Sequence, residues 1–547
     1  MNKKKWSTLI VFVVMMSFIL SACGEDNSSA TNGKDDGKTK LADEQVLNVN
    51  IKTEPPSMHP GQATDTTSVA VLNQTFEGLT RLDQDGKTQK AMAQEVEVSD
   101  DQKTYTFTIR DDAKWSNGDP VTAKDFEYAW KWVLNPESPD TDSAYYLYSI
   151  KNAKAAKTGK ASLDEVGVTA KDDKTLVVEL EQPTPYFLDL AALYTYYPVN
   201  HNVVDGQDDW AQESGEQYVT NGPFSLESWE HKNQITLKKN PNYWDADNVK
   251  LETINMYMIE DENTELQMYK NGELDWAGSP TGSIPLAAIP ALKQEGTLNV
   301  KSRAAVYYYA FNTDMKPFDN ANIRKAFALS IDRQGIVTNI TKGEQQPAMA
   351  LVPPAMWEEN EKGYFQDNDI EQAKEYLQKG LDELGLDKLP TIKLSYNTDE
   401  AHATIAQALQ DMWKENLGVK VELNNEEWNV YLNSLSEGDF QMGRMGWVGA
   451  VNDPINFLEI FQTTGGNNYT NWESDKYASL LEKSNTIAEP EKRKEVLQEA
   501  EQVFMDEMPI APIYFYTNVW VNKDYVKNVK VPPIGGVQYK WGYIAEH

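Results

Sequence analysis

The pattern of hydrophobic and polar positions changes its period along the chain, and one stretch shows two periods in succession. A strand with one buried face is predicted by apolar residues that alternate with threonines: Tyr105, Phe107 and Ile109. The segment 117–120, Asn-Gly-Asp-Pro, predicts a turn. Thr122 stands three residues before Asp125, a capping-box pattern that predicts a helix start. The helix is predicted by apolar residues at helical spacing: Phe126, Ala129, Trp130, Val133 and Leu134.

The same two periods recur later in the chain. Residues 176–180 and 419–423 predict buried strands, and 405–413 predicts an amphipathic helix that a glycine at 418 ends. Residues 497–504 predict a late helix, and 510–516 predicts a last strand after a proline. No segment repeats at a fixed period. The alternation of strands and helices predicts an α/β, or mixed α+β, fold.

The N-terminus has the pattern of a lipoprotein signal peptide. Lysines at 3–5 precede an apolar stretch, 9–20, that is shorter than the ~20 residues of a membrane-spanning helix. The sequence Leu-Ser-Ala-Cys at 20–23 resembles the lipobox, in which a lipid is attached to the cysteine and cleavage precedes it. We therefore expect a signal peptide at 1–22 and anchoring through Cys23 on the extracellular face of the cell membrane. The alternative is an ordinary secretory signal and a buried free thiol.

Composition limits the remaining possibilities. Residues 23–44 are polar and predict a flexible tether. About 500 residues follow, enough for two or three domains. The net charge is −33, and −36 without residues 1–22, which excludes nucleic-acid binding by general electrostatics. The acidity fits solubility at an anionic cell wall, with attraction of cationic ligands as the alternative. Cys23 is the only cysteine, so no intrachain disulfide is possible.

Motifs of catalysis are missing from the sequence. The five histidines include no pair at the i, i+4 spacing of a helical zinc site, and no cysteine is available to assist. Neither a Gly-x-Ser-x-Gly elbow nor a phosphate-binding GxxxxGK[ST] loop occurs. We expect no enzyme activity, no cofactor and no metal, with a lipoprotein hydrolase as the unsupported alternative.

A set of short motifs, in the same order along the chain, resembles one family. The resemblance is to the oligopeptide-binding lipoproteins of ABC importers, the OppA type of extracellular solute-binding family 5, particularly those of Bacillus. The motifs include Thr-Asn-Gly-Pro-Phe at 220–224 and Arg-Met-Gly-Trp at 444–447. The remaining motifs lie at 51–60, 76–81, 104–130, 240–244, 311–313, 317–319, 323–326, 331–333 and 424–428.

The resemblance implies a two-lobed, periplasmic-binding-protein-like fold with an additional domain and a hinged ligand cleft. The chain then crosses between the lobes twice. Lobe I is expected at 45–76, 199–303 and 516–547, the extra domain at 77–198, and the second lobe at 304–515. The implied partners are an oligopeptide and the permease and ATPase subunits of an importer, and we expect a monomer.

The resemblance also implies a ligand site. In the family an extended peptide lies between the lobes, and its main chain pairs with protein backbone. By matching positions, Arg444, Gly446 and Trp447 are expected to line the peptide, Trp428 to wall a side-chain pocket, His402 to help receive the peptide carboxylate, and Tyr145 and Tyr514 to lie near the ligand. The alternatives are a structural ion pair for the arginine, simple core positions for the tryptophans and an exposed cap for the histidine.

One position departs from the family pattern. The family places an acidic residue three positions after the tryptophan of the Arg-x-Gly-Trp motif, where it pairs with the ligand's ammonium. This sequence has Ala450 there, and Asp453 follows three residues later. We expect weakened recognition of a free peptide amine, unless Asp453 replaces the missing acid. This leaves open an amine-blocked or non-peptide solute, such as a sugar stacked on tryptophan, and a receptor that senses peptide signals.

Overall fold

The computed structural model describes residues 40–547 except 208, 465–466 and 488, and at 142, 428 and 429 it describes the backbone alone. The predictions on the signal peptide, on Cys23 and on most of the tether therefore lie outside the described residues. Residues Leu41–His547 form one compact unit. Among the helices of the described ranges, none is long and apolar enough to cross a membrane.

The strands of the described residues follow one another along the whole chain. They are β1 (Val46–Asn50), β2 (Thr80–Leu82), β3 (Thr88–Lys90), β4 (Ala93–Val98), β5 (Thr104–Ile109), β6 (Val168–Ala170), β7 (Thr175–Glu179), β8 (Phe224–Glu230), β9 (Gln234–Lys239), β10 (Thr253–Tyr257), β11 (Trp276–Gly278), β12 (Asn299–Phe311), β13 (Gln346–Pro347), β14 (Ile392–Asn397), β15 (Val421–Glu426), β16 (Met442–Val448), β17 (Ile510–Asn522), β18 (Val526–Lys527) and β19 (Tyr543–Ile544).

Helices lie between these strands. They are α1 (Thr66–Thr75), α2 (Ala123–Leu134), α3 (Ala153–Lys157), α4 (Phe187–Leu190), α5 (His201–Val204), α6 (Glu262–Asn271), α7 (Ile289–Glu295), α8 (Ala321–Leu329), α9 (Arg333–Ile336), α10 (Ile370–Leu384), α11 (Glu400–Leu417), α12 (Trp428–Ser436), α13 (Ile455–Leu458), α14 (Asp475–Asn485) and α15 (Pro490–Glu507). Short 3₁₀ turns and one π-helical turn, Val337–Thr341, complete the connections in this part of the chain.

The elements predicted from periodicity form where local signals are strong. β5 buries the residues that alternate with threonine, and α2 begins after Thr122. The Asp125 carboxylate accepts a hydrogen bond from the Thr122 backbone N–H at 2.8 Å, as the capping-box pattern predicts. α11 ends at Gly418, whose φ of +67° is the left-handed conformation that glycine adopts at low cost. β17 continues past its predicted end at 516 to Asn522.

Two four-stranded sheets belong to the first half of the chain. One has the order β1-β10-β9-β8, with β1 parallel to β10, and the other has the order β4-β5-β7-β6. Their buried side chains form a single hydrophobic cluster that contains Leu47, Phe107 and Trp130. The predicted extra domain and the predicted first lobe therefore share one continuous core.

The largest sheet has the order β11-β17-β12-β16-β14-β15, with β13 also paired to β17. A second hydrophobic cluster packs on it and includes residues of β12, α11 and α15. A small third cluster, which contains Leu266 and Val521, lies beside β11. The mixed α/β fold expected from the sequence is confirmed.

β12 and β17 are the two strands on which the chain passes between these regions. They pair antiparallel, and each spans a predicted lobe boundary, 303/304 for β12 and 515/516 for β17. The register between them shifts between Ser302 and Val306, which marks a β-bulge. The domain limits stay a prediction, and this bulge lies where that prediction needs a hinge.

Candidate functional site

A cavity of about 820 Å³ lies between the first and second hydrophobic clusters. Its lining comes from α1, from the segments around Tyr145 and Tyr194, from the end of β16 and from the C-terminal segment 531–539. The volume is within the range of ~300–1,000 Å³ typical of small-ligand sites. Residues far apart in the sequence therefore enclose a space large enough for a short peptide.

β16 positions several of the predicted site residues. Successive side chains of a strand point to opposite faces, so Arg444 and Gly446 share one face and Trp447 lies on the other. Trp447 lines the cavity, and its indole N–H is buried without a hydrogen-bond partner among the described residues. A buried donor without a partner is costly, so this N–H is available to a ligand acceptor in the cavity.

Gly446 allows close packing beside this strand. It pairs with Tyr307 of β12. A Cβ atom added at Gly446 would lie 3.1 Å from the Tyr516 hydroxyl and 3.2 Å from the Val306 carbonyl oxygen. Larger side chains would therefore push the tyrosine away, and the glycine keeps the backbone of β16 close to Tyr516.

Arg444 lies in a cluster of aromatic side chains. Its guanidinium donates to the Tyr516 hydroxyl at 2.8 Å and to the Asn397 side-chain oxygen at 3.4 Å, and it lies 4.6 Å from the ring centroid of Tyr307. Its Nε–H is buried without a partner. No carboxylate of the described residues forms an ion pair with it. The alternative of a structural ion pair at Arg444 thus has no partner in this part of the chain.

His402 joins the same cluster from the first turn of α11. Asp399 caps the helix by accepting from the His402 backbone N–H at 3.0 Å, and the imidazole Nδ1 lies 3.3 Å from the Tyr307 hydroxyl. Burial and, to a smaller extent, the Arg444 cation lower the pKa of His402 to about 3. The side chain is therefore a neutral imidazole at physiological pH.

Tyr514 stacks on Tyr307 with a centroid distance of 4.8 Å and pairs with it across β17 and β12. Tyr307 therefore contacts three predicted residues, Arg444, His402 and Tyr514, although sequence analysis missed it. Its signal was the run of tyrosines at 307–309 directly before the family motif at 311–313. Such a run inside an apolar strand is indistinguishable from core by periodicity alone.

The remaining predicted residues lie elsewhere. Tyr145, 41% exposed, lines the cavity and packs on Tyr146 at 4.2 Å between ring centroids. Trp428 begins α12, and its side chain lies outside the described part of the structure. The structure thus separates the predicted residues into a cavity group, Tyr145 and Trp447, and an aromatic cluster around Arg444.

The segment after β16 contains both Ala450 and Asp453. Ala450 lines the cavity, and its backbone N–H donates to the Asn456 side-chain oxygen at 2.8 Å. Asp453 is buried and accepts two hydrogen bonds from Arg493, at 2.6 and 2.9 Å. This paired carboxylate is engaged inside the protein, which argues against Asp453 as a replacement for the missing acid.

Other kinds of site have no support in the described residues. No group of three or more His, Cys, Asp or Glu side chains that could hold a metal ion occurs among them. The cavity walls are instead mainly apolar and aromatic, with a minority of polar side chains. This arrangement suits reversible binding of an organic ligand.

Comparisons with known proteins agree with this geometry. Residues 87–469 match the family model of bacterial extracellular solute-binding proteins, family 5 Middle. The chain is 55% identical over 548 positions to the oligopeptide-binding protein OppA of Bacillus subtilis, covering 99% of each chain. It is similar to the crystal structure of Haemophilus influenzae OppA in complex with the peptide RPPGFSPFR, with a TM-score of 0.81, 31% identity and coverage of 93% and 100% of the two chains. It is also similar to Listeria monocytogenes OppA bound to peptide, with a TM-score of 0.79, 32% identity and coverage of 92% and 100%.

Proposed function

The chain belongs to the bacterial extracellular solute-binding proteins of family 5, and on that basis we propose that it captures oligopeptides and delivers them to an ABC permease for import. The observation that carries this proposal is the cavity of about 820 Å³ enclosed by two separate hydrophobic cores. A binding protein that closes around its ligand needs such a space between two bodies that can move.

The polar groups at the site suit a peptide backbone. The Trp447 indole N–H and the Arg444 Nε–H are buried donors without partners in the described residues, and the Asn518 side-chain oxygen is a buried acceptor without one. Trp447 and Asn518 both line the cavity. Peptide carbonyl and amide groups would complete these hydrogen bonds, and a hydrocarbon ligand would leave them unpaired.

The aromatic cluster suits the carboxyl end of the peptide. Arg444 has neutral hydrogen-bond acceptors and a tyrosine ring around it, so its positive charge has no counter-ion among the described residues. A ligand carboxylate would supply the negative counter-charge and form a charge-assisted hydrogen bond with the guanidinium. We assign the peptide carboxylate to Arg444, with the neutral His402 beside it as a second hydrogen-bonding group.

Domain motion and anchoring complete the proposal. The lobes comprise 45–76, 199–303 and 516–547 for the first and 304–515 for the second, with 77–198 as the extra domain. Closure takes place around the bulge between Ser302 and Val306. A monomeric protein held by lipid on Cys23 keeps the captured peptide near the permease at the extracellular face of the membrane.

Mass spectrometry of ligand released from the purified full chain tests the proposal. After expression in peptide-rich medium, denaturation should release oligopeptides in amounts comparable to the protein. Calorimetric titration of the ligand-stripped protein with tetra-alanine should then show saturable binding. Release of sugars instead, together with no heat of peptide binding and a normal thermal transition, would reject peptide as the ligand.

A further inference from the structure

A second arginine lines the cavity, opposite the position of the missing acid. Ala305 of β12 pairs with Val448 of β16, and the Gly449 N–H donates to the Ala304 carbonyl at 2.8 Å. Continuing this antiparallel register places Arg303 opposite Ala450. Arg303 and Ala450 both line the cavity. The structure therefore brings a cation to the place where the family pattern has an anion.

Arg303 has no hydrogen-bond or ion-pair partner in the part of the chain that the structure describes. No hydrogen bond or ion pair of the described residues holds its guanidinium, and the ionisable group that acts on it is the Tyr516 hydroxyl. Burial lowers the pKa of Arg303, because a partly dehydrated cation is less stable than one in water. In a chain of net charge −33, a partly buried arginine without a carboxylate is unusual, and its positive charge suits contact with an anion.

The backbone around Arg303 is fixed. It lies in the bulge of β12, where the next residue, Ala304, donates its N–H to the Pro533 carbonyl at 2.7 Å and accepts from Gly449. A bulge redirects a side chain relative to a regular strand. The backbone of Arg303 is therefore fixed by hydrogen bonds of its neighbours. Its guanidinium lines the cavity and forms no hydrogen bond with the described residues, so it can contact a ligand.

The nearby acids do not neutralise it. Asp65 is the other charged residue among the described side chains that line the cavity, and its Oδ1 caps α1 by accepting from the Thr67 and Ser68 N–H groups at 2.9 Å each. Asp453 is paired with Arg493. Glu459 is separated from Ala450 by the Asn456 amide, and burial raises the pKa of Glu459 to about 7.

We propose that Arg303 forms an anion-binding subsite at the amino-terminal end of the ligand, so that the protein selects peptides with an acidic residue at that end. This proposal rests on the proposed peptide-binding function. Arg303 and Arg444 come from separate positions along β12 and β16, with the Tyr516 hydroxyl accepting from Arg444 and also acting on Arg303. The register position of Arg444, opposite Tyr309, is six residues from Arg303, or roughly 15–20 Å along the strand. Arg444 takes the terminal carboxylate, and Arg303 takes an acidic side chain.

Two matched tetrapeptides test this subsite, Glu-Ala-Ala-Ala and Gln-Ala-Ala-Ala, which differ in charge and hardly in shape. Calorimetric titration of the full chain should give at least about tenfold tighter binding of the glutamate peptide, because a charge-assisted hydrogen bond replaces a neutral one. Arg303→Met should bind the two peptides with equal affinity. Lys301→Met removes an exposed positive charge from the same strand and should keep the full preference.

The outcomes separate this inference from the function on which it rests. Equal binding of both peptides by the unmutated protein would overturn the subsite and leave peptide binding intact. A glutamate preference that survives in a folded Arg303→Met protein would assign the preference to another group and would also overturn it. Failure of the unmutated protein to bind any peptide, with a normal thermal transition, would overturn the proposed function and the subsite together. The comparison within the unmutated protein needs no variant to fold.

Discussion

The proposed ligand site includes two arginines, and the surroundings of the two side chains differ. Arg444, which we propose receives the peptide carboxylate, has two hydrogen-bond acceptors and a tyrosine ring. Arg303, which we propose lies at the amino end, has no hydrogen-bond or ion-pair partner among the described residues. The surroundings of Arg444 have the residues that the family pattern predicts, and those of Arg303 have an alanine where that pattern has an acid. On this difference we base the hypothesis that Arg444 contributes to peptide binding in general and Arg303 to peptide selection.

A third arginine, Arg493, serves as a reference for the surroundings of Arg444 and Arg303. Arg493 has what the other two lack, a carboxylate that accepts two hydrogen bonds from it. This pair is buried and joins the segment after β16 to α15. We therefore assign Arg493 to the fold and propose that Arg444 and Arg303, which have no carboxylate among the described residues, meet the ligand. The predictions below test this division.

Removing the carboxylate of the reference pair should have the largest effect. Asp453→Asn leaves the buried Arg493 charge uncompensated, and we expect a loss of about 3–5 kcal/mol in the free energy of unfolding. Urea denaturation measures it, with Asp439→Asn, at an exposed acid on the same lobe, as the control. The relative affinity for glutamate and glutamine peptides should not change, because Asp453 is engaged inside the protein. A variant of normal stability that binds free-amine peptides poorly would make Asp453 the amine anchor instead.

Arg444→Met should weaken binding of every peptide with a free carboxylate. Loss of the partner of a buried charge typically costs about 2–5 kcal/mol, so affinity should fall by tens to thousands of fold. Arg444→Lys should recover part of the loss, because it restores the charge without the planar fork. Calorimetry with tetra-alanine measures both variants, and Lys420→Met, at an exposed lysine, should bind like the unmutated protein. An unchanged affinity in Arg444→Met would remove Arg444 from the site.

Ala450→Asp should reverse the charge preference of the amino end. The new carboxylate lies opposite Arg303 and would pair with it or with a ligand ammonium. We therefore expect a shift of about tenfold toward free-amine peptides over their N-acetylated forms, and loss of the glutamate preference. The unmutated protein should distinguish little between the free and acetylated forms. A strong preference of the unmutated protein for the free amine would show that another group, such as Glu459, already receives it.

The smallest expected effect is that of His402 on the pH dependence of the unfolding free energy. The pKa of His402 is lowered to about 3, so the unfolded chain binds more protons than the folded chain between pH 3 and about 6.5. The stabilising contribution of the neutral imidazole is present above about pH 6.5 and is lost as pH falls toward 3. His402→Asn should flatten the pH dependence of the unfolding free energy in this window, by less than about 1.4 kcal/mol per pH unit.

His231→Asn is the matched control for the pH experiment. The Glu54 carboxylate raises the pKa of the exposed His231, so its contribution has the opposite sign. Denaturation at pH 4 to 7 should therefore show no flattening in this variant. An equal flattening in both variants would mean that the His402 environment does not exclude the charged form.

The parts of the fold that sequence predicted are those determined by local patterns. The alternation in β5 and the cap of α2 need only neighbours along the chain, and both formed as predicted. The extension of β17 to Asn522 was missed because the prediction followed an apolar run and stopped where polar residues begin to alternate with apolar ones. Its pairing with the first residues of β12 and with β11 explains why the strand continues.

The candidate site was predictable only where a motif marked it. The Arg-Met-Gly-Trp motif pointed to Arg444, Gly446 and Trp447, whereas Tyr307 is hidden in a run of buried tyrosines. The ion pair of Asp453 and Arg493 joins residues 40 positions apart and has no local pattern. The lack of a hydrogen-bond or ion-pair partner for Arg303 among the described residues depends on all the side chains that pack around it. Neither could follow from the sequence, because both depend on long-range packing.

A crystal structure of the full chain with Glu-Ala-Ala-Ala tests the central claim most directly. The account predicts the peptide between the two cores, with its terminal carboxylate about 3 Å from hydrogen-bonding groups of Arg444 or His402, and its glutamate carboxylate about 3 Å from the Arg303 guanidinium. A peptide bound in the opposite direction, or a glutamate side chain turned to solvent while Arg303 stays without an anion, would contradict it.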